Sequence, residues 1–348
     1  MARVVAEPSD ASYILDEFGA SDFLELERLA AASGLESFLF ARIKKYNMLN
    51  LIPDSIKANW ENKYNFFLAK NIILLDIAER LERVTRKAGI KLVRIKGIAF
   101  VEPHYPDIGS RAMGDMDFLV EETQKERAEE AFREVGGRVV GFENLPPGEH
   151  EAFHHKIYTL PSTTGGAYLV ELHTRLIANY LIAPVNYRAL FAEAQKDESG
   201  AYRLSPAHNI IHLALHWLQH YLDADLRSLL DGCLVIKAGV VDWEGLCRDA
   251  RLWQVNPTIY LYLLWLTKNW GLLLPDGILE ALKPNKARLR LIEKICDIES
   301  IPSHRLSGLP KRVEQLAIIS ALSPSPPRIA LQVAKKLKAQ WFKVGSKQ

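Results

Sequence analysis

Residues 96–120, KGIAFVEPHYPDIGSRAMGDMDFLV, decide how this chain folds. They follow IKLVRI (90–95), a short run of branched residues that suits a strand. After Lys96-Gly97, IAFVEPHY reads as a short helix or helical turn. A loop with Pro106 and Gly109 then leads into DMDFLV (115–120), where Met116, Phe118 and Val120 alternate with Asp115, Asp117 and Leu119. In a strand, side chains two apart share a face, so Asp115 and Asp117 are expected side by side, with Met116 and Phe118 turned into a core. Adjacent carboxylates repel each other, and a divalent cation relieves that repulsion while using their oxygens as hard ligands. Glu171, in the alternating run Tyr168-Leu-Val-Glu171-Leu-His173, is the natural third carboxylate on a neighbouring strand. Such a trio can hold two Mg²⁺ (or Mn²⁺) ions roughly 4 Å apart, the arrangement that stabilises attacking and leaving oxygens in phosphoryl or nucleotidyl transfer.

Gly97 fits the same scheme. A glycine between strand and helix allows close backbone approach and offers N–H groups to phosphates. Eighteen residues separate it from Asp115, enough for a short helix and a return strand; the competing Gly109-Ser110 lies too close to Asp115 for that. Lys96 and Arg111 would add positive charge beside a polyphosphate, Arg111 with a two-pronged fork.

Working outward, Thr123-Gln-Lys-Glu126 has the form of a capping box, which predicts a helix from Gln124 to about Val135 that stops at Gly136-Gly137. RVVGF, HEAFHHKIYTL and AYLVELHTRL read as three strands, the last two joined by the turn Pro161–Gly166. The order is β-α-β-α-β-β-β. Upstream, residues 12–88 look helical throughout; Pro53-Asp54-Ser55 opens a long stretch that ends near Gly89. Leu68, Ile72, Leu75, Ala78 and Leu81 mark its apolar stripe, and the region reads as a packing module without chemistry. From Asn186 onward the pattern is again helical, with Ser205-Pro206 and Asp242 as N-caps. The fold class expected is α+β: a small mixed sheet at 90–185, flanked by helical regions at 1–89 and 186–348.

The 348 residues are 48% apolar and 25% charged, which excludes a disordered or fibrous chain. Forty-four basic against 42 acidic residues give no support to a chain-wide nucleic-acid surface. The balance conceals opposed ends: residues 1–34 hold seven acids and two bases, and residues 324–348 six bases and no acid. That basic end, from Arg328 to Lys347 beyond a Pro-rich break, reads as a helix open to an anionic partner or, more simply, as a solvated one. Cys233, Cys247 and Cys296 form no CxxC pair, and MARVVAEPSDASYILDEF has no signal-peptide pattern. The eight-residue apolar run 259–266 falls short of the ~20 residues of a membrane span. A soluble, cytoplasmic protein is the expectation.

His208, His212, His216 and His220 recur every four residues, so neighbouring pairs can chelate a transition metal, which keeps a metal hydrolase open as an alternative. No H-E-x-x-H is present, and the interleaved leucines mark a buried helix, so structural or substrate-lining roles are expected. His212 and His216 are the candidates to touch substrate, with His173 beside Glu171. His154-His155 reads as ordinary strand surface or core. Asp231 stands four residues after Arg227, the spacing of a helix-surface ion pair.

These residues resemble the uncharacterised nucleotidyltransferase-like family of the DNA polymerase β superfamily. The resemblance rests on Lys96-Gly97, Tyr105-Pro106, Arg111, Gly114-Asp115-Met116-Asp117 and Glu171-Leu172-His173, and on Leu226–Asp231 and Val241-Asp-Trp243 further on. It spans residues 90 to about 255. It implies a minimal nucleotidyltransferase fold, metal ligands at Asp115, Asp117 and Glu171, and an NTP donor. Better-known members of the superfamily have Gly-Ser or Gly-Gly where this chain has Gly97-Ile98, so a phosphate-contacting hydroxyl is missing. The leading expectation is a metal-dependent enzyme that moves a nucleoside monophosphate from an NTP to a hydroxyl-bearing acceptor. The alternative is a catalytically inactive nucleotide- or partner-binding protein on the same fold. No motif chooses among a small-molecule, RNA or protein acceptor.

Overall fold

From residue 20 on, the stretch expected to be helical throughout holds three α-helices and a 3-10 turn at Leu49–Leu51, the breaks falling where the backbone turns left-handed. α1 (Ala20–Ser33) ends at Gly34, with φ +62°. α2 (Glu36–Lys45) is followed by Asn47 at φ +58°. α3 (Asp54–Lys87) runs 34 residues and stops before Gly89, at φ +69°. The face α3 buries against the sheet is Asn71, Leu74, Ile77, Ala78, Leu81, Glu82 and Thr85, while Ile72 is 53% exposed. The apolar stripe drawn from sequence is therefore rotated. Asn71 and Glu82 go inside because both find partners there, and spacing of apolar residues alone cannot register buried polar ones.

The computed structural model describes residues 15–140, 155–177, 183–222, 226–297, 303–304 and 311–323. The basic stretch 328–347, residues 150–154 of HEAFHHKIYTL and the end of RVVGF lie outside the described residues. After α3 come β1 (Val93–Ile95), α4 (Gly97–Phe100), β2 (Met116–Leu119), α5 (Lys125–Glu134), β3 (Arg138–Val139), β4 (His155–Pro161) and β5 (Ala167–His173), in the expected order. The capping box does not form: a 3-10 turn over Glu122–Gln124 precedes α5, whose N-cap is Gln124 without a side-chain cap bond. Its C-terminal stop is as expected, with Gly136 at φ +89°.

Beyond 186 the chain is not helical throughout. α6 (Tyr187–Ala192) gives way to a hairpin of β6 (Gln195–Lys196) and β7 (Tyr202–Arg203), and β7 pairs in parallel with β1. Strands of two residues carry too little periodicity to be read in advance. Then follow α7 (Pro206–Gln219), α8 (Leu226–Lys237), α9 (Trp243–Leu252), α10 (Asn256–Trp270), α11 (Ile278–Leu282), α12 (Lys286–Ile295), the pair β8 (Cys296–Asp297) and β9 (Ser303–His304), and α13 (Lys311–Leu322). Ser205 and Asp242 cap α7 and α9 as expected, accepting from the His208 and Gly245 N–H groups at 3.3 and 2.9 Å. Among the described residues, no helix is long and apolar enough to cross a membrane.

The result is an α+β fold around a seven-stranded mixed sheet of order β3-β4-β5-β2-β1-β7-β6. One face packs on α3 and α5 through Met116, Phe118, Val170, Leu172, Tyr158 and Leu160. The other face looks toward the C-terminal helices, where Val93, Ile95 and Leu119 join a second core with α7, α8 and α10. Alternation along the strands therefore decides which side chains meet α7, and the functional residues are among them.

Candidate active site

β2 and β5 are parallel neighbours with Asp117 directly opposite Glu171. β4 and β5 are antiparallel, placing His155 opposite His173. Met116, Phe118, Val170 and Leu172 take the α3 side, so Asp117, Glu171, His173 and His155 emerge together on the α7 side. Asp115 is one residue ahead of β2, at the strand's entry rather than within it. The turn before it is fixed by α3: Lys70 donates to the Gly114 carbonyl at 3.1 Å. Asn71, fully buried, donates to the carbonyls of Ile108 and Arg111 at 2.6 and 2.7 Å. The helix that the sequence presents as packing alone thus anchors the loop that carries Asp115.

Lys96 lies just past the end of β1 with φ +52° and ψ −139°. Continued strand alternation would send its side chain to the Arg94 face. The positive φ turns it to the opposite one, a conformation that costs a non-glycine residue roughly 1–3 kcal/mol. Its Nζ sits 2.6 Å from Asp117 Oδ1 and 3.7 Å from Glu171 Oε2. His173 Nε2 meets the same carboxylates at 2.9 and 3.2 Å. The reading from sequence puts Lys96 beside a polyphosphate; here its ammonium stands between Asp117 and Glu171 and offsets part of their charge.

Gly97 has a packing reason of its own. A Cβ built there would fall 2.4 Å from Nη1 of Arg111, so the guanidinium lies directly on the glycine. That guanidinium is bidentate to Asp231 of α8, Nε to Oδ1 at 2.9 Å and Nη2 to Oδ2 at 2.6 Å, and Tyr105 Oη donates to Oδ1 at 2.8 Å. The fork expected to face a polyphosphate is thus engaged by a buried acid, with only an edge on the cavity. Asp231 is buried rather than on the helix surface that its spacing from Arg227 suggests, and through Arg111 and Tyr105 it ties the loop to α8.

Charge follows from this geometry. Burial pushes the Asp115 carboxyl up to about 6, helped by repulsion from Asp117 and Glu171. Burial acts on Asp117 in the same sense, but Lys96 and His173 override it and hold that carboxyl well below the usual range. Burial also opposes the charge on Lys96, yet Asp117 and Glu171 keep its ammonium above its ordinary value. His212 is pushed down to about 3 by burial and then by the nearby Lys96 and His173 charges. His216 is lowered for similar reasons, burial first.

A cavity of about 450 Å³ opens between the sheet and α7, with Asp115, Asp117 and Glu171 on one wall and His216, Gln219 and His220 on the other. His173 and His212 lie behind this surface, 1% and 0% exposed. His155, expected to be ordinary, does line it. The hairpin register from the Pro161–Gly166 turn was the signal that could have found it. The row of four histidines splits: His208 turns away to Asp249 (3.1 Å) and stacks on Trp253 at 5.3 Å. Among the described residues, two groups bring three ligand atoms within 4.8 Å: His155, Glu171 and His173, and Glu193, His208 and Asp249. In the second, Asp249 already accepts from Arg248 at 3.0 Å, and the cluster ties α9 to α7. The expected trio Asp115, Asp117 and Glu171 lines one wall of the cavity but is not one of these two groups; Glu171 alone belongs to the first.

Residues 19–271 match the family model described as uncharacterised nucleotidyltransferase. No curated protein matches the chain. Among solved structures, the antibiotic-resistance factor ANT(2'')-Ia is similar at 12% identity and a TM-score of 0.35, over 48% of this chain and 85% of that one. So loose a superposition carries no inference about substrate. The family match takes in the sheet, the carboxylates and both walls of the cavity, and on it the chain belongs to the uncharacterised nucleotidyltransferase family.

Proposed function

We propose that this chain is a metal-dependent nucleotidyltransferase that moves a nucleoside monophosphate from an NTP to a hydroxyl-bearing acceptor. The observation that carries the proposal is that Asp115, Asp117 and Glu171 all line one wall of the cavity, with more negative charge than Lys96 balances. Asp115 and Asp117 would hold both Mg²⁺ or Mn²⁺ ions and Glu171 one of them. When bound, the ions stabilise charge on the attacking and leaving oxygens. The acceptor hydroxyl attacks the α-phosphorus, its proton passes toward Glu171, and pyrophosphate leaves. Lys96 and the Gly97 backbone would orient the triphosphate, while Arg111, held by Asp231, shapes that end of the cleft. The helices on either side of the 90–185 core, which the β6–β7 hairpin extends, would frame it and recognise the acceptor, with His216 as the imidazole on its path. A cytoplasmic setting and an anionic partner for the basic 328–347 stretch belong to the same proposal.

Two observations favour the second reading, a nucleotide-binding protein without turnover: the Arg111 fork is engaged by Asp231, and Ile98 supplies no hydroxyl. Incubation with each labelled NTP, Mg²⁺ and cell extract, followed by mass spectrometry for adducts, separates the two. An adduct that disappears in Asp117→Asn supports the enzyme; an adduct that survives the change overturns this site. Binding of NTP analogues with no adduct under any condition selects the second reading.

A further inference from the structure

We propose that Lys96 is the resident counter-ion of the carboxylate wall, and that a divalent cation displaces its ammonium into the cavity, where it meets the triphosphate. The inference rests on the reading of the carboxylates as metal ligands. It assigns one lysine two successive partners.

Three observations carry it. First, the contacts are those a cation would use: Nζ lies 2.6 Å from Asp117 Oδ1 and 3.7 Å from Glu171 Oε2. Asp117 Oδ1 also meets His173 Nε2 at 2.9 Å, so that oxygen has little capacity left for a metal until the ammonium leaves. A divalent ion and an ammonium competing for one oxygen would also repel each other.

Second, the backbone is bent to put the ammonium there. Lys96 alone among the residues from β1 to β2 combines a side chain with positive φ, at +52°. Such strain persists where surrounding contacts over-determine it. Here the contact on the side-chain end is the ion pair.

Third, the side chain has somewhere to go. Lys96 lines the 450 Å³ cavity and its side chain is 23% exposed, against 1% for Arg94 two residues earlier. The four-carbon stem can swing its head away from the sheet without leaving the cleft.

The test is Mn²⁺ titration of the full chain, stripped with chelator, read by the EPR signal of free Mn²⁺. Wild type is compared with Lys96→Met, Lys96→Gln and Asp117→Asn. The lysine variants should bind Mn²⁺ about tenfold more tightly than wild type, the magnitude expected when a partly buried competing charge is removed. The same variants should bind a non-hydrolysable NTP analogue more weakly. Mn²⁺ affinity equal to or weaker than wild type in both would overturn the proposal while leaving the metal site standing. Mn²⁺ binding that Asp117→Asn does not reduce overturns the metal site and the proposal with it. Should either variant fail to fold, the wild-type chain still decides. Acetylation of Lys96 by a water-soluble N-hydroxysuccinimide ester of acetate, which releases N-hydroxysuccinimide, followed by mass spectrometry, should rise severalfold on adding Mn²⁺ and fall again with the NTP analogue. Labelling indifferent to Mn²⁺ overturns the exchange.

Discussion

Arg94 and Lys96 stand two residues apart, and each meets acids brought in from other elements. Arg94, 1% exposed, makes a two-pronged bond to Glu82 of α3 at 2.6 and 3.0 Å and reaches Glu102 at 2.5 Å. Glu102 also accepts from Arg203 of β7 at 2.8 Å, and Arg203 pairs with Asp197. That network is closed: cations and anions alternate, and it welds α3, β1 and β7 together. Around Lys96, three carboxylates face one ammonium at the edge of a cavity. Similar residue types thus serve two ends. Cations and anions in alternation make a strut, and several carboxylates around one ammonium at a cavity make a site with room for another cation.

The strut should be the costliest place to interfere. Glu82→Gln leaves the Arg94 guanidinium buried with a weakened partner, and the chain should lose roughly 3–5 kcal/mol of stability, the usual cost of breaking a buried pair. Urea unfolding measures it; a loss below about 1 kcal/mol would show that the network is not the strut described.

Gly97→Ala comes next. The added methyl would meet Arg111 Nη1 at 2.4 Å and Cζ at 3.1 Å, and Asp231 prevents the guanidinium from stepping aside cheaply. A cost of about 1–3 kcal/mol is expected from that overpacking. Weakened NTP-analogue binding should accompany it, since Arg111 and Gly97 both line the cleft. An unchanged melting temperature would mean that Arg111 relaxes freely.

These cases show what sequence could and could not convey. Alternation in Met116–Leu119 and in Tyr168–His173 placed Asp117 and Glu171 on one face, and the register then set them opposite each other. Nothing local announced that Asp231, 120 residues beyond Arg111, would take its fork. Nor did the apolar stripe on α3 reveal Asn71 and Glu82, because helical spacing counts hydrophobic residues and both are polar groups buried with partners. Lys96 was legible as charge near the site, while its partners depended on a positive φ that no residue-type preference signals. Elements built from periodicity were thus readable, and contacts between distant segments were not.

Asp115→Asn probes the surplus charge itself, in metal-free protein. The carboxyl is raised from 3.8 to about 6 by burial and its acidic neighbours. The folded chain therefore holds that proton more tightly than the unfolded one. The contribution of Asp115 is favourable below about pH 4 and is lost as pH rises through 6. With solvent screening at a partly exposed group, roughly 2 kcal/mol should separate the two proteins above pH 6, the variant being the more stable. Near pH 4 the difference should close. A variant less stable than wild type at pH 7 would mean that Asp115 is paired, contrary to an open wall.

The smallest effect is expected at His212, which the sequence nominated as a substrate contact. Among the described residues neither buried ring nitrogen has a hydrogen-bond partner, and the ring is neutral at pH 7 because burial and the Lys96 and His173 charges push it down to about 3. A group in that position lends the fold little, because its lost hydration is not replaced. Leucine fills a similar volume without polar atoms, so His212→Leu should be neutral to about 1 kcal/mol stabilising, and NTP-analogue affinity should stay within about twofold. His216→Ala, on the cavity wall one turn further along α7, should instead weaken acceptor use without altering Mn²⁺ affinity. If His212→Leu cost activity while His216→Ala did not, the ring behind the wall would be part of the site, and the division between strut and site drawn at Lys96 would have to extend into α7.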